Sequence, residues 1–122
     1  MTYYKNLEAW KKSMQLVKQV YLLTKKYPKE ELFALTSQTK RAVVSIPANI
    51  AEGMGRNYKK DTIQFIHIAR GSLYELETLL NIAVMDDIIS EEAFAAFPHY
   101  IDELIKIING LIKSLEQRSN LK

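Results

Sequence analysis

The sequence of 122 residues contains no cysteine, only 3 prolines and 4 glycines, and no long apolar run. Without cysteine the chain forms neither disulfide bonds nor thiolate metal sites, which favours a reducing cytoplasm as its location. No apolar stretch approaches the roughly 20 residues that span a bilayer, and the first residues lack the apolar core of a signal peptide. We therefore expect a cytoplasmic protein with no membrane association.

Charge is unevenly distributed along the chain. The net charge at neutral pH is +3. Residues 1–60 contain 12 basic and 4 acidic residues, a net charge of +8, whereas residues 61–122 contain 5 and 10, a net charge of −5. The basic half is expected to face either a polyanion or the acidic half of a neighbouring copy, and the sequence leaves both interpretations open.

Apolar residues, 48% of the chain by count, recur at helical spacing. The 3–4 repeat is clearest in the first and last segments, at Leu7, Trp10, Met14, Val17, Tyr21 and Thr24, and at Ile101, Leu104, Ile108, Leu111 and Leu115. The pattern predicts four helices, at about 6–26, 30–54, 61–85 and 91–118. Short connections between them predict an all-α fold, one antiparallel up-down-up-down four-helix bundle that forms a single domain over residues 1–122.

Capping residues and prolines set the expected helix ends. Asn6 and Ser90 are suitable N-caps, and Asp61 with Gln64 resembles a capping box. Pro98 is expected either to kink the fourth helix or to split it into a short leader and a main part.

The segment 41–53 carries a second proline inside a helical pattern. Pro47 lacks an N–H and crowds the carbonyl of Val43, at a cost of about 3 kcal/mol, so we expect a kink there. Ser45 and Asn49 flank it and are candidates to bond the freed backbone.

Two interpretations of this segment follow. In the structural one, its small and polar residues form a close-packing motif with a notch on the third helix, the set being Ser45, Pro47, Asn49, Glu52, Gly53, Gly71 and Ser72. In the functional one, Asn49 and Glu52 form a polar patch with Arg70 or with a partner. No activating histidine is evident for Ser45, which favours the structural interpretation.

The fourth helix is apolar around more than half of its circumference, at Ile101, Ile105, Ile107, Ile108 and Ile112. A monomeric bundle of this size needs only a narrower apolar stripe along each helix. The excess predicts a second buried face and hence homo-oligomerisation.

Three stretches resemble one known family. They are Tyr4-Lys-Asn-Leu-Glu-Ala-Trp10, Arg41-x-x-x-Ser-Ile-Pro-x-Asn-Ile-Ala-Glu-Gly53 and Phe65-x-x-x-Ala-Arg-Gly-Ser-Leu-x-Glu-Leu-Glu77. Together they are similar to the bacterial four helix bundle proteins, also known as the intervening-sequence protein of 23S ribosomal RNA. The resemblance covers essentially the whole chain, and Pro98 is its main departure.

The resemblance implies an all-α bundle in ring-like homo-oligomers, commonly pentamers. It also implies kinship with the accessory variability determinant of diversity-generating retroelements, a basic pentameric bundle that works with a reverse transcriptase and binds nucleic acid. It implies no catalytic activity.

Enzymatic and metal chemistry find little support in the residues. Glu75 and Glu77 lie two positions apart and so point in different directions on a helix; buried or interfacial ion pairs are their expected role. Neither His67 nor His99 has a glutamate three residues before it, as a di-iron bundle site requires. We therefore expect no catalytic residues, no metal site and no cofactor.

Basic residues are the strongest functional signal. Those proposed to contact phosphates are Lys11, Lys12, Lys18, Lys25, Lys26, Lys40, Arg41, Arg56, Lys59 and Lys60, with Lys29 nearby. Tyr58, or Tyr3 and Tyr4, are candidates to stack on a base.

Two function classes remain in competition. The leading hypothesis is a non-enzymatic homo-oligomer that binds RNA or DNA non-specifically through its basic first half, with itself as partner, commonly as a homopentamer. The alternative is a protein–protein interaction scaffold whose charge asymmetry serves self-assembly, without a nucleic-acid role. An enzyme would require Glu52, Glu75 or His67 to converge on a polar cavity.

Overall fold

The computed structural model of the protein describes residues 3–118, so the first two and last four residues of the predicted domain lie outside it. It contains the α-helices α1 (Glu8–Thr24), α2 (Ser37–Met54), α3 (Lys59–Met85), α4 (Glu91–Phe94) and α5 (Phe97–Gln117). A 3-10 turn, Tyr4–Asn6, precedes α1, and a second, Lys29–Glu31, leads into a π-helical turn, Leu32–Thr36, before α2. No strand occurs within 3–118, and none of the helices there is long and apolar enough to span a membrane. The predicted all-α class is confirmed.

The four long helices pack in the cyclic order α1, α2, α3, α5. Gly53 at the end of α2 lies against Phe65 at the start of α3, and the Lys59 ammonium at the start of α3 donates to the carbonyl of Arg118 just after α5. Successive long helices therefore run antiparallel, which confirms the four-helix bundle. In this order α1 lies diagonally opposite α3, so their outer faces point away from each other.

The core takes residues from all four long helices. Val20, Ile46, Leu73 and Ile101 are fully buried, and each lies on the inner line of its helix. Burial of side chains of this size contributes about 1.5–3 kcal/mol each. Ile101, Ile108 and Ile112 of the fourth predicted helix are buried in this core, whereas Ile105 and Ile107 pack against it and are partly buried, so a second buried face on this helix stays a prediction.

Helix ends differ from the prediction at several places. Asn6 lies in the 3-10 turn instead of capping α1, and α3 begins at Lys59, so Asp61 lies in its first turn. The N-cap of α3 is Tyr58, whose side chain makes no capping bond. Ser90 does cap α4, because its Oγ accepts a hydrogen bond of 3.0 Å from the Ala93 amide.

Pro98 splits the predicted fourth helix in two. The leader is α4, and Pro98 lies in the first turn of α5. A first-turn amide has no intrahelical acceptor, so proline costs no hydrogen bond at this position.

Pro47 lies inside α2, which continues to Met54. The Asn49 side-chain amide donates to the Ser45 carbonyl oxygen at 2.8 Å and to Ser45 Oγ at 2.9 Å. Asn49 thus bonds the backbone as expected, but at Ser45, whereas the carbonyl that loses its partner to Pro47 belongs to Val43. Ser45 Oγ also lies 2.8 Å from Ser72 Oγ, which joins α2 to α3 through a hydroxyl pair.

Gly53 in α2 is closely packed, whereas Gly71 in α3 is not. A Cβ on Gly53 would lie 2.7 Å from Phe65 Cβ and 3.1 Å from the Thr62 carbonyl oxygen, so glycine permits the close approach of α2 and α3. A Cβ on Gly71 would have no atom within 4 Å. The expected notch at Gly71 is therefore wrong within the protomer: Ser72 faces α2, and Gly71, about 100° around the helix, faces outward.

Gly53→Ala should destabilise the protein by about 1–3 kcal/mol, because its methyl group forces α2 and α3 apart. Gly110 in α5 is the control, since a Cβ at Gly110 would have no atom within 4 Å, unlike one at Gly53. Gly110→Ala should raise the free energy of unfolding by up to about 1 kcal/mol through helix propensity. Urea unfolding measures both, and a Gly53→Ala variant as stable as the wild type contradicts the tight contact.

Tyr27 closes the end of the core between α1 and α2. Its hydroxyl is buried, close to that of Thr39, yet neither makes a hydrogen bond of normal geometry. Burial raises the pKa of the Tyr27 phenol, and the neighbouring Thr39 hydroxyl opposes this shift. Burial in the core therefore favours the protonated phenol over the phenolate.

Tyr27→Phe should leave the free energy of unfolding at pH 7 unchanged or raise it by up to about 1 kcal/mol, because an unbonded buried hydroxyl is lost. The phenol titrates near pH 10 in the unfolded chain and higher in the folded one. The stability that this pKa difference gives the wild-type protein is therefore fully present below pH 10, and it is lost as pH rises through the raised pKa. Denaturation at pH 7 and pH 11 should show the advantage of the variant growing with pH; a constant difference contradicts the shift.

Candidate nucleic-acid interface

A line of lysines follows the outer face of α1. Lys11, Lys18 and Lys25 are seven residues apart and all exposed. At 1.5 Å per residue, the line is about 21 Å long. No carboxylate occurs between residues 9 and 29 to neutralise it. We call these three residues the lysine line.

Tyr21 joins the lysine line to α2. Its ring is partly exposed, and the Lys40 ammonium lies 4.8 Å from the ring centroid in a cation–π contact. Arg41, the next residue, is exposed beside it. The basic surface therefore spans both helices.

Sequence reasoning placed Met14 and Tyr21 on the inner face of the first helix, and this was wrong. Both are about two-fifths exposed, and the inner face is formed instead by Ala9, Ser13, Leu16, Val20 and Leu23. Two apolar lines overlap on this helix, and only packing against α2 and α5 selects the one that leaves Met14 and Tyr21 at the border of the outer face.

The α2–α3 connection holds a second basic group. Arg56 bonds Glu52 at 2.9 Å and stacks 4.5 Å above the Phe65 ring, while Lys59 bonds the end of α5. Lys60 is exposed, and Tyr58 is 65% exposed beside it. Tyr58 and Lys60 thus fit the predicted role better than Arg56 and Lys59 do.

Of the remaining residues predicted to contact a nucleic acid, some are exposed and others are occupied by contacts within the protomer. Lys26, like the neighbouring Lys29, is exposed in the connection after α1, near the end of the lysine line. Lys12 lies on the α5 side of α1, where its Nζ is 3.6 Å from Glu103. Tyr3 is exposed, whereas Tyr4 packs its ring against Trp10 and so does not fit a stacking role.

Acidic residues gather on a different side of the bundle. A groove of about 410 Å³ between the start of α1 and α5 is lined by Glu8, Asp102 and Glu103, with His99, Lys106 and Ile107. This groove lies on the α1–α5 side of the bundle, next to Lys12, which bonds Glu103. The acidic residues therefore border α1 on a side different from the one that adjoins α2.

Arg70 does not join the predicted polar patch of Asn49 and Glu52, and a patch formed with a partner stays a prediction. Arg70 donates to Asn109 at 2.8 Å and bonds His67 Nδ1 at 2.8 Å, on the side that faces α5, whereas Asn49 and Glu52 have partners within or next to α2. The expected ion pairs of Glu75 and Glu77 are also absent from residues 3–118.

Glu75 lines a polar groove of about 290 Å³ with Gln38, Arg41, Ala42 and Ser45. Neither Glu52 nor His67 reaches it. In the described part of the chain, no three His, Asp or Glu side chains are placed to share a metal ion. The absence of catalysis, metal and cofactor stays a prediction.

Comparison with known proteins gives a family and solved structures of similar fold. The family model described as 23S rRNA-intervening sequence protein matches residues 5–110. A crystal structure of a protein of unknown function from the S23 ribosomal protein family of Bacteroides thetaiotaomicron is 24% identical. The match covers 86% of this chain and 98% of that chain, with a TM-score of 0.78, and it shows a shared fold. Among curated proteins, none matches significantly.

Proposed function

Since the chain belongs to the 23S rRNA-intervening sequence protein family, we propose that it is a non-enzymatic, homo-oligomeric bundle that binds RNA or DNA without sequence specificity. The lysine line carries this proposal. It is a continuous exposed basic surface, about 21 Å long by helix geometry, on a helix segment free of carboxylates from residue 9 onward.

Phosphate contact is the chemistry that this surface supports. Lysine ammonium groups neutralise phosphates as point charges and release counterions, whatever the base sequence. Lys40 and Arg41 extend the same field onto α2, and Met14 and Leu22 expose apolar surface between the lysines. The surface offers no set of side chains arranged to read base edges, so binding should be non-specific.

Self-association strengthens weak contacts. A ring of copies, with a homopentamer as the form that the family resemblance implies, repeats the lysine line several times, and linked sites bind with higher avidity than one site. The family name connects its members with ribosomal RNA, which supports RNA as the first ligand to test. The lack of cysteine favours the cytoplasm as the place of action.

Removal of two lysines from the line should weaken binding in a salt-dependent way. For Lys18→Gln with Lys25→Gln, we expect at least about tenfold weaker binding of a single-stranded RNA of 30 nucleotides at 0.1 M salt. The slope of log K against log salt should become shallower by about 1.4 for each lysine line that contacts the RNA, because two phosphate contacts are lost there. Gel shift and fluorescence anisotropy with RNA and DNA measure both.

The control removes two lysines from α5, Lys106→Gln with Lys113→Gln, and so changes the net charge equally. Both are exposed, on the side away from α2. Its binding should stay within about twofold of wild type. No shift at low salt, or equal losses in both variants, contradicts the proposed surface.

The second candidate is a scaffold in which the basic side of one copy contacts the acidic side of another. The separate positions of the lysine line, on the outer face of α1, and of the acidic groove with Asp102 and Glu103, between α1 and α5, favour it. In that case Lys18→Glu with Lys25→Glu should change the mass measured by light scattering without nucleic acid. A changed gel shift with an unchanged mass favours the first candidate.

A further inference from the structure

The outer face of α3 carries a second helical repeat. Its members follow 3–4 spacing and are all exposed: Ile68, Gly71, Glu75, Thr78, Ile82 and Met85. Ile68 is 43% and Met85 76% exposed, and Tyr74 lies beside them, partly exposed. The inner face of α3 is already buried in the core, so this repeat is not needed for the bundle. Such a repeat is typical of a seam between two helices.

Gly71 has no role in the packing of the protomer. It lies in the middle of α3, where glycine lowers helix stability, yet a Cβ there meets no atom within 4 Å. Gly53, by contrast, is required by the neighbouring helix. A glycine on an outer face is explained if a helix from outside the protomer crosses there, since glycine lets two backbones approach closely.

An apolar groove extends this face toward the start of α2. It has a volume of about 300 Å³ and is lined by Ala34, Leu35, Leu79, Ile82 and Ile88, with Glu31, Gln38 and Asp86. Ile82 belongs to both the groove and the outer face of α3. Phe33, next to Ala34 on the π-helical turn, is 93% exposed. Short π-helical segments are frequent at functional sites, and aromatic anchors dominate interfaces.

The exposed apolar area is sufficient for a dimer contact. Leu32, Phe33, Ile68, Tyr74, Ile82 and Met85 together expose roughly 600 Å² per copy, by comparison with full side-chain areas of about 150–250 Å² for aromatic residues. Two such surfaces bury on the order of 1,200 Å², which reaches the size of a specific interface. Along the repeat Glu75 is the one ionisable residue, and charge-poor centres distinguish interfaces from ordinary surface.

We propose that the outer face of α3, together with Leu32 and Phe33, is the surface on which a second copy of this chain docks, with a helix of that copy crossing α3 at Gly71. The inference rests on the self-association in the proposed function and names its contact. Because α1 lies diagonally opposite α3, the contact leaves the lysine line uncovered on that protomer. Glu75, which lines a groove and makes no ion pair within residues 3–118, is available to a basic group of the second copy.

Gly71→Gln and Gly110→Gln form a matched pair for the test. Both glycines lie inside exposed helix faces, and a Cβ on either meets no atom within 4 Å. Glutamine is a better helix former, so both variants should melt at or above the wild-type temperature when diluted to protomers. Sedimentation equilibrium should then show at least tenfold weaker association for Gly71→Gln and unchanged association for Gly110→Gln.

Phe33→Ser is the second variant, because a side chain that is 93% exposed contributes little to the fold of the protomer. It too should weaken association at least tenfold. If Gly71→Gln and Phe33→Ser both assemble like the wild type, a different face mediates assembly and the inference is overturned. A wild-type chain that is monomeric at every concentration overturns it as well. Gel shifts with the Lys18 and Lys25 variants report on nucleic-acid binding in either case.

Discussion

The close packing of α2 against α3 is the constraint on which the rest of the structure depends. Gly53 removes the Cβ that would collide with Phe65, and the Ser45–Ser72 hydroxyl pair joins the two helices farther along. A hydroxyl pair between two helices satisfies polar groups that burial would otherwise leave costly. With this pair of helices fixed, the rotation of α3 is fixed too, and with it the side of α3 that faces outward.

That rotation explains why Gly71 and Ser72 differ although they are neighbours of similar size. The sequence predicted a joint notch, because both residues are small and lie in the middle of the third predicted helix. In the structure Ala69 is buried and Arg70 reaches across to Asn109 on α5. Which side of α3 faces the core depends on its contacts with two other helices. The spacing of residues within one helix carries no information about those contacts.

The bundle, its antiparallel order and the basic character of the first half were predictable, because they follow from periodicity and from charge counts. The positions of Met14 and Tyr21 were not, since the first helix has two overlapping apolar lines and only packing selects between them. The contacts of three predicted phosphate-binding residues were not predictable either, because they become evident only when the helices are placed. These contacts are Lys12 with Glu103, Arg56 with Glu52, and Lys59 with Arg118. The second apolar face predicted on the fourth helix stays a prediction, since Ile105 and Ile107 are only partly buried against the core.

The lysine line and the exposed 3–4 repeat of α3 therefore lie on different helices, and this separation bears on how one small bundle serves both proposed roles. A polyanion-binding surface works only if assembly leaves it in contact with solvent, because a covered ammonium group cannot exchange counterions for phosphates. An apolar seam works only if charges are kept out of its centre. Diagonal placement of α1 and α3 meets both conditions. If a second copy docks on α3, the lysine line of the protomer that offers this face points away from the contact and stays available to phosphates.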